Sequence, residues 1–467
     1  MTKTMEIVYD KVSMPVRHTD YVPVNRTRET MEEHQQKVLE KMREKALDVL
    51  MVYGDREHGA NYAYLTGFET RFEESILVLH QDGTCYLMLG NENLKMCNYS
   101  FIKAAAVHVP HFSLPHQPME TEKTLDELFA EAGVKNGMKI GMAGWKLFTS
   151  RLENNDTFFD VPAFMVDAVR RVNSEGTLVN AADIFLHAEY GVRHVMNANE
   201  IAHFEYGAGL ASSRVLGALN AVAPGKTELE LADMLSANGQ PLSVTTICAV
   251  GERFTDAVVF PRNKNVSVGD KLSLTLGLRG GLTSRAAYVV EKQEELPPEV
   301  QDYVEKAAIP YYRAAVTWYE TVGIGVSCDE LYRTIDTVLP KEKYGWTLNP
   351  GHYTGQDEWT ASPVYPGSPV KIQSGMMFQM DIIPSVPGYG GASAEDGIAI
   401  ADEVLREELK NRYPDTWKRI EDRRRFMMEE LGINLKEEVL PMSDICGYMR
   451  PYVLNHGYAL KKAKEES

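Results

Sequence analysis

The chain has 467 residues and a formal net charge of −17, with 44% hydrophobic and 25% charged residues. This is the composition of a globular protein of about two to three domains, and its acidity argues against nucleic acid or an anionic membrane as main partner. Five scattered cysteines without a CxxC pair exclude a disulfide framework and a zinc ribbon.

The opening MTKTMEIVYDKVSMPV has no apolar leader-like stretch, and no run approaches the roughly 18 apolar residues of a bilayer span. A cytoplasmic location is therefore expected. Residues 10–25 read as irregular. Residues 27–46 form a charged amphipathic pattern that predicts a helix, and ALDVLMVYG after it reads as a buried strand. SILVLHQDGTCYLMLG has two apolar runs joined by Gln81-Asp82-Gly83, a hairpin signature. AAAVHVPHF and KIGMAGW predict two more strands around the helix TLDELFAEAGV. Strands alternating with helices imply a mostly parallel or mixed sheet covered by helices, an α/β domain over 1–190.

The pattern changes near 181–195. Residues 198–221 predict a long helix, and Thr227 with Glu230 forms a capping box for the next one. Strand-like LSVTTICAVG and DKLSLTLGLRGGLTSRAAYVV follow. Helices come next at PEVQDYVEKAAIPYYRAAVTWYETV and CDELYRTIDTVL, then strands around 351–401. The order helix, helix, strands occurs twice, which predicts a duplicated ααββ unit over 191–404, although no fixed sequence period supports it. Residues 405–467 open with a charged helical extension, expected to be solvated or to face a second copy.

The run from Gly351 to Glu395 carries the chemistry. His352, Asp381 and Glu395 fall on three predicted successive strands. A nitrogen and two carboxylates suit general acid/base work or one divalent ion. His352 lies between glycines with Asp357 and Glu358 close behind. Asp381 interrupts the apolar strand MMFQMDIIP, which is costly unless the acid is paired or bound. Trp359 and Tyr353 either line a pocket or belong to the core. Arg279 and Arg285, on the preceding strand pair, either hold a substrate carboxylate or form salt bridges to Asp381 or Glu395. Cys248 reads as a small buried hydrophobe.

The motifs in order resemble the creatinase, prolidase, aminopeptidase P and methionine aminopeptidase family, the pita-bread fold. NYAYLTGF (61–68) resembles the N-terminal domain's strand-turn, and RHVMNANEIAHFEYGAGLA (193–211) the first helix of the catalytic domain. APGKTELELA is similar to the PGxTExEL step, VGDKLSLTLG to the GDxxxxDxG strand, SGMMFQMDI to PGMxFxxEP and AEDGIAIAD to the final strand. The resemblance implies an α/β N-terminal domain followed by an α+β pita-bread domain with pseudo-twofold symmetry. Peptidases of the family hold two metal ions on Asp, Asp, His, Glu and Glu. Carried over, the histidine falls on His352 and the glutamates on Asp381 and Glu395. The first aspartate falls on Thr275, and the second on Arg285 or Ala286. The family's second histidine falls on Trp359.

Two of four balancing carboxylates are thus missing. The resemblance implies no cofactor, or one divalent ion on His352, Asp381 and Glu395, rather than a metal pair. The creatinase histidine would fall near Val258-Val259-Phe260, where this chain has none; Glu252, Arg253, Thr255 and Asp256 are the polar residues nearby. The loop GFETRFEES, with Phe68, Arg71 and Phe72, matches one that in family homodimers reaches the partner's site; it either meets a small anionic substrate there in an expected homodimer or is a solvated loop. The expected function is hydrolysis of a C–N or amide bond in a small amino-acid-like substrate. His352 would be the acid/base, with Glu395, Asp381 and Glu358 as catalytic partners. Arg285, Arg279, Arg71, Phe68, Trp359 and Tyr353 would bind substrate. A catalytically silent binding or scaffold homologue and a mononuclear Xaa-Pro peptidase are the alternatives.

Overall fold

The protein is described from a computed structural model covering residues 5–119, 122–252 and 260–464. It divides into two units, one of residues 26–194 and one formed by the N-terminal segment through Asn25 together with the chain from Val195 onward. The expected first boundary at 190 lies close to the second of these junctions. The N-terminal segment, expected in the first domain, belongs instead to the second unit. Its strand β1 (Ile7–Lys11) pairs antiparallel with a strand near the C-terminus.

In the unit 26–194, a helix over Arg28–Glu44 is capped by the Thr27 side chain. Six strands follow: β2 (Val49–Gly54), β3 (Ser75–His80), β4 (Cys85–Leu89), β5 (Ala105–His108), β6 (Lys139–Ala143) and β7 (Thr177–Asn180). Their order in the sheet is β5-β4-β3-β2-β6-β7, with β2–β3 and β3–β4 antiparallel and the other pairs parallel. β2 is buried along its whole length. That is why its sequence is a continuous apolar run rather than an alternating one.

The second unit begins with a helix over Ala198–Ala221, opened by an Asn197–Glu200 capping box. The Thr227–Glu230 box opens the next helix as expected. The strands are β8 (Ile247–Val250), β9 (Lys271–Leu278), β10 (Gly281–Tyr288), β11 (His352–Tyr353), β12 (Met377–Met380), β13 (Ser393–Ile400), β14 (Val439–Pro441) and β15 (Tyr458–Lys462). The main sheet runs β11-β12-β13-β10-β9-β8, with β14 on β13.

The duplication is visible in backbone detail. Thr227 and Ser327 each precede a helix and make an isolated antiparallel bridge, to Asn265 and Lys371. Gly225 N–H bonds Val266 C=O as Gly325 N–H bonds Ile372 C=O. Gly269 and Gly375, both at positive φ, stand six residues before Thr275 and Asp381, so these two side chains are pseudo-equivalent. No fixed sequence period relates the halves, yet the same turn geometry, which glycine satisfies cheaply, recurs in both.

The 405–467 extension is part of this unit. Leu409, Ile420, Leu440 and Met442 are buried with Ile201 and Phe204 in one cluster. The predicted single helix is two, Glu403–Arg412 and Pro414–Glu429, because Pro414 cannot continue the first. Arg419 and Arg423 fix the second helix through the fully buried Glu205. Among the described residues no helix is long and apolar enough to cross a membrane.

Candidate active site

β9 and β10 join through Arg279-Gly280, with Leu278 paired to Gly281. Gly280 sits at φ +114, and a Cβ there would lie 2.1 Å from the carbonyl oxygen of Phe204. This tight turn sets the register, which places Ser284 opposite Thr275 and also opposite Glu395. Alternation then puts Thr275, Ser284 and Glu395 on one face and Arg285 on the other. The Thr275 and Ser284 hydroxyls are 2.8 Å apart and bonded to each other.

His352 on β11, Asp381 at the end of β12 and Glu395 on β13 lie on neighbouring strands, as expected. Their ligating atoms all lie within 4.8 Å of one another. His352 is fully buried. Its Nε2 is 3.1 Å from Glu358 and 3.9 Å from Asp381. Its Nδ1 is 3.1 Å from the Tyr353 carbonyl, which can only accept. Trp359 stacks on the imidazole at 4.0 Å between centroids. Asp381 is 5% exposed, and its Oδ1 has no hydrogen-bond partner.

Thr275, Ser284, Glu358, Trp359, Asp381 and Glu395 line a cavity of about 930 Å³ that also meets Glu252, Lys271, Ile383 and Tyr389, and His352 lies behind its wall. Burial is the largest influence on His352 and opposes its charge. The hydrogen bond and charge of Glu358, with the charge of Asp381, exceed it and raise its pKa. Burial chiefly, then Glu358, pushes Asp381 up to about 6, against the opposing pull of His352. Burial, then the charges of Asp381, Glu358 and Asp396, raises Glu395 well above the usual carboxylate range. The site therefore sets its carboxyls apart: Glu395 is held well above the usual carboxylate range, while Asp381 is raised to about 6.

These shifts predict a pH dependence. An acid whose pKa is raised by folding binds its proton more tightly in the folded state, so its contribution is full below about pH 4 and is lost as pH rises through 6. A histidine raised by folding likewise contributes less as pH rises. Asp381→Asn should therefore be more stable than the parent at pH 7.5 by on the order of 3 kcal/mol, with the gap closing near pH 4. Urea unfolding at both pH values measures this. Equal gaps at the two pH values would remove Asp381 as the source.

Several expected site residues lie elsewhere. Arg285 is 3% exposed and turned away from the cavity. It pairs with Asp396 at 2.6 Å, not with Asp381 or Glu395. Its guanidinium also donates to the backbone carbonyls of Ser284, Glu395, Ile445 and Tyr448. It is a support behind the sheet, not a substrate contact. Arg279 sits in the β9–β10 turn and donates to the Gln356 carbonyl. Tyr353, one position from His352, points into the core against Phe378. Phe68 is buried in the unit 26–194 against Tyr62. Arg71 and Phe72 are exposed in that unit, the guanidinium 4.9 Å from the ring centroid. Asp357 contributes its carbonyl to Gly355 N–H. Arg253, Thr255, Asp256, Val258 and Val259 lie outside the described residues. Cys248 is buried, as expected. Ser284 was missed, since the second aspartate was placed at Arg285 or Ala286. Reading Arg279-Gly280 as a two-residue turn would have found it.

A barrel-free sheet built from two ααββ halves, with its polar cluster across the pseudo-twofold, defines a pita-bread protein. The comparisons agree. The model of metallopeptidase family M24 matches residues 207–405, and that of the creatinase/prolidase N-terminal domain matches 35–172. The chain belongs to the creatinase, prolidase and aminopeptidase P family. Among solved structures, the Xaa-Pro dipeptidase from Bacillus anthracis is similar at 15% identity and a TM-score of 0.60, covering 80% of this chain and 96% of that one. The prolidase from Pyrococcus horikoshii OT3 is similar at 18% identity and 0.61, covering 79% and 95%. The X-Pro aminopeptidase from Thermotoga maritima MSB8 is similar at 15% and 0.59, covering 79% and 95%. At these identities the likeness is one of fold. No curated protein matches the chain by sequence.

Proposed function

We propose that the protein is a hydrolase of a C–N or amide bond in a small amino-acid-like substrate, working without the metal pair of its relatives. The observation that carries this reading is the Thr275–Ser284 hydroxyl pair. The resemblance places one aspartate at Thr275, and the register puts Ser284 beside it. Two neutral hydroxyls that satisfy each other do not fit a pair of divalent ions, which need anionic oxygens to balance their charge. One ion fits the donor types of His352, Asp381 and Glu395, and bound there it would polarise a carbonyl.

The remaining chemistry rests on side chains. His352 has acceptors near both ring nitrogens, which favours the imidazolium, and its Nε2 proton passes to a leaving nitrogen through the Glu358 carboxylate, which lines the cavity. Glu358 holds the ring in place. Asp381, ionised at neutral pH, takes a proton from attacking water. Glu395, kept neutral by burial, donates to the oxygen on which charge develops. Trp359 fills the position of the family's second histidine and shields the imidazole from water.

Elemental analysis of the purified protein, with a panel of amides, amidines and Xaa-Pro dipeptides, tests this. Fewer than two metal equivalents per chain and chelator-resistant turnover are expected. Two equivalents with chelator-sensitive Xaa-Pro cleavage would restore the ordinary peptidase. No turnover, together with a ligand that raises Tm, would select the silent binding homologue.

A further inference from the structure

The cavity has a charge pattern that the arginine-reading expectation did not foresee. Its described lining contains four carboxyls, Glu252, Glu358, Asp381 and Glu395. The one cation among the described lining residues is Lys271, already 3.0 Å from Glu252. His352, just behind the wall, is likewise engaged by Glu358. No described cationic side chain in the cavity is without a carboxylate partner. The opposite need is plain: Asp381 is nearly sealed from solvent, yet one of its oxygens is unpartnered.

Two further features narrow what would answer that oxygen. Trp359 covers His352 with one face but remains 39% exposed and lines the cavity. An aromatic face beside a carboxylate attracts cations, and indole does so best. Beside hydroxyls such as Thr245, Ser385 and Tyr389, the lining carries the aliphatic side chains of Val244, Ile247, Leu348 and Ile383. These aliphatic stretches offer no acceptors to a hydrated primary ammonium, but they match alkyl groups carried on nitrogen.

Building on the reading of this cavity as the substrate site, we propose that its ligand carries a substituted ammonium group, seated on the Trp359 indole and countered by Asp381. The alkyl substituents spread the charge and meet the aliphatic wall. The indole and the carboxylate both adjoin the His352 ring, Trp359 stacked on it at 4.0 Å and Asp381 3.9 Å from its Nε2.

Calorimetric titration of the full chain at pH 7.5 with choline, with its uncharged isostere 3,3-dimethyl-1-butanol, and with acetate tests this without requiring turnover. Choline should bind roughly tenfold or more tightly than the isostere, and acetate should not bind. Asp381→Asn and Trp359→Leu should each weaken choline by a similar factor, and Trp359→Phe by less, with far-UV circular dichroism unchanged. Equal binding of choline and its isostere, or tighter binding of acetate, would overturn the proposal. So would no choline binding at all, or a Tm rise with Mn²⁺ or Zn²⁺ that choline neither reproduces nor competes with. Failure of the hydrolase panel with cation-selective binding intact would discard the chemistry alone. Turnover of substrates lacking a cation would discard the ligand class alone.

Discussion

His352→Gln should lower turnover of the hydrolysed substrate by on the order of 10²–10⁴-fold, the usual share of a positioned acid/base. Glutamine keeps a polar, nearly isosteric side chain under Trp359 and can still meet Glu358, so the fold should survive. It cannot carry the Nε2 proton to a leaving nitrogen. The loss should fall on kcat rather than KM, because the histidine is fully buried and reaches the cavity only through its partners. The pH profile of kcat should lose one limb in the variant. Full turnover by His352→Gln, with the limb still present, would remove the histidine from the reaction.

The largest effect on stability should come from Arg285→Met. Arg285 and Asp396 are 3% and 0% exposed at the side chain, and Asp396 also accepts hydrogen bonds from Thr283 and Ser443. Removing the arginine strands a buried carboxylate and frees backbone carbonyls of Ser284 and Glu395, which hold the site's hydroxyl and its neutral acid in register. Breaking such a pair from one side costs about 3–5 kcal/mol. Urea unfolding of Arg285→Met should show that loss. The double variant R285M/D396L should recover part of it, because no lone charge then remains buried. A single variant as stable as the parent would mean that Asp396 simply takes a proton, and the support argument would fail.

Much of the architecture was legible in the chain. The continuous apolar run of β2, the Asp82-Gly83 hairpin and the capping box at Thr227 are local signals, and the structure uses them locally. His352, Asp381 and Glu395 were legible as a set because Asp381 interrupts an apolar run, His352 lies between glycines, and the three fall on successive predicted strands. The arginines were misread for a related reason. A charged residue in a strand announces that it has a partner but not which face the partner occupies. For Arg285 that depended on a two-residue turn and on a single step of register.

By itself, then, the amino-acid sequence determined where helices begin, which strands are buried, and that carboxyls and one histidine gather near the end of the second half, since these follow from side-chain chemistry over a few neighbouring positions. Only the tertiary structure decided that Ser284 meets Thr275, that Arg285 props the sheet from behind, and that the N-terminal strand belongs to the far end of the chain. Those outcomes depend on strand register and on pairing between distant segments, where a shift of one residue turns every side chain to the opposite face.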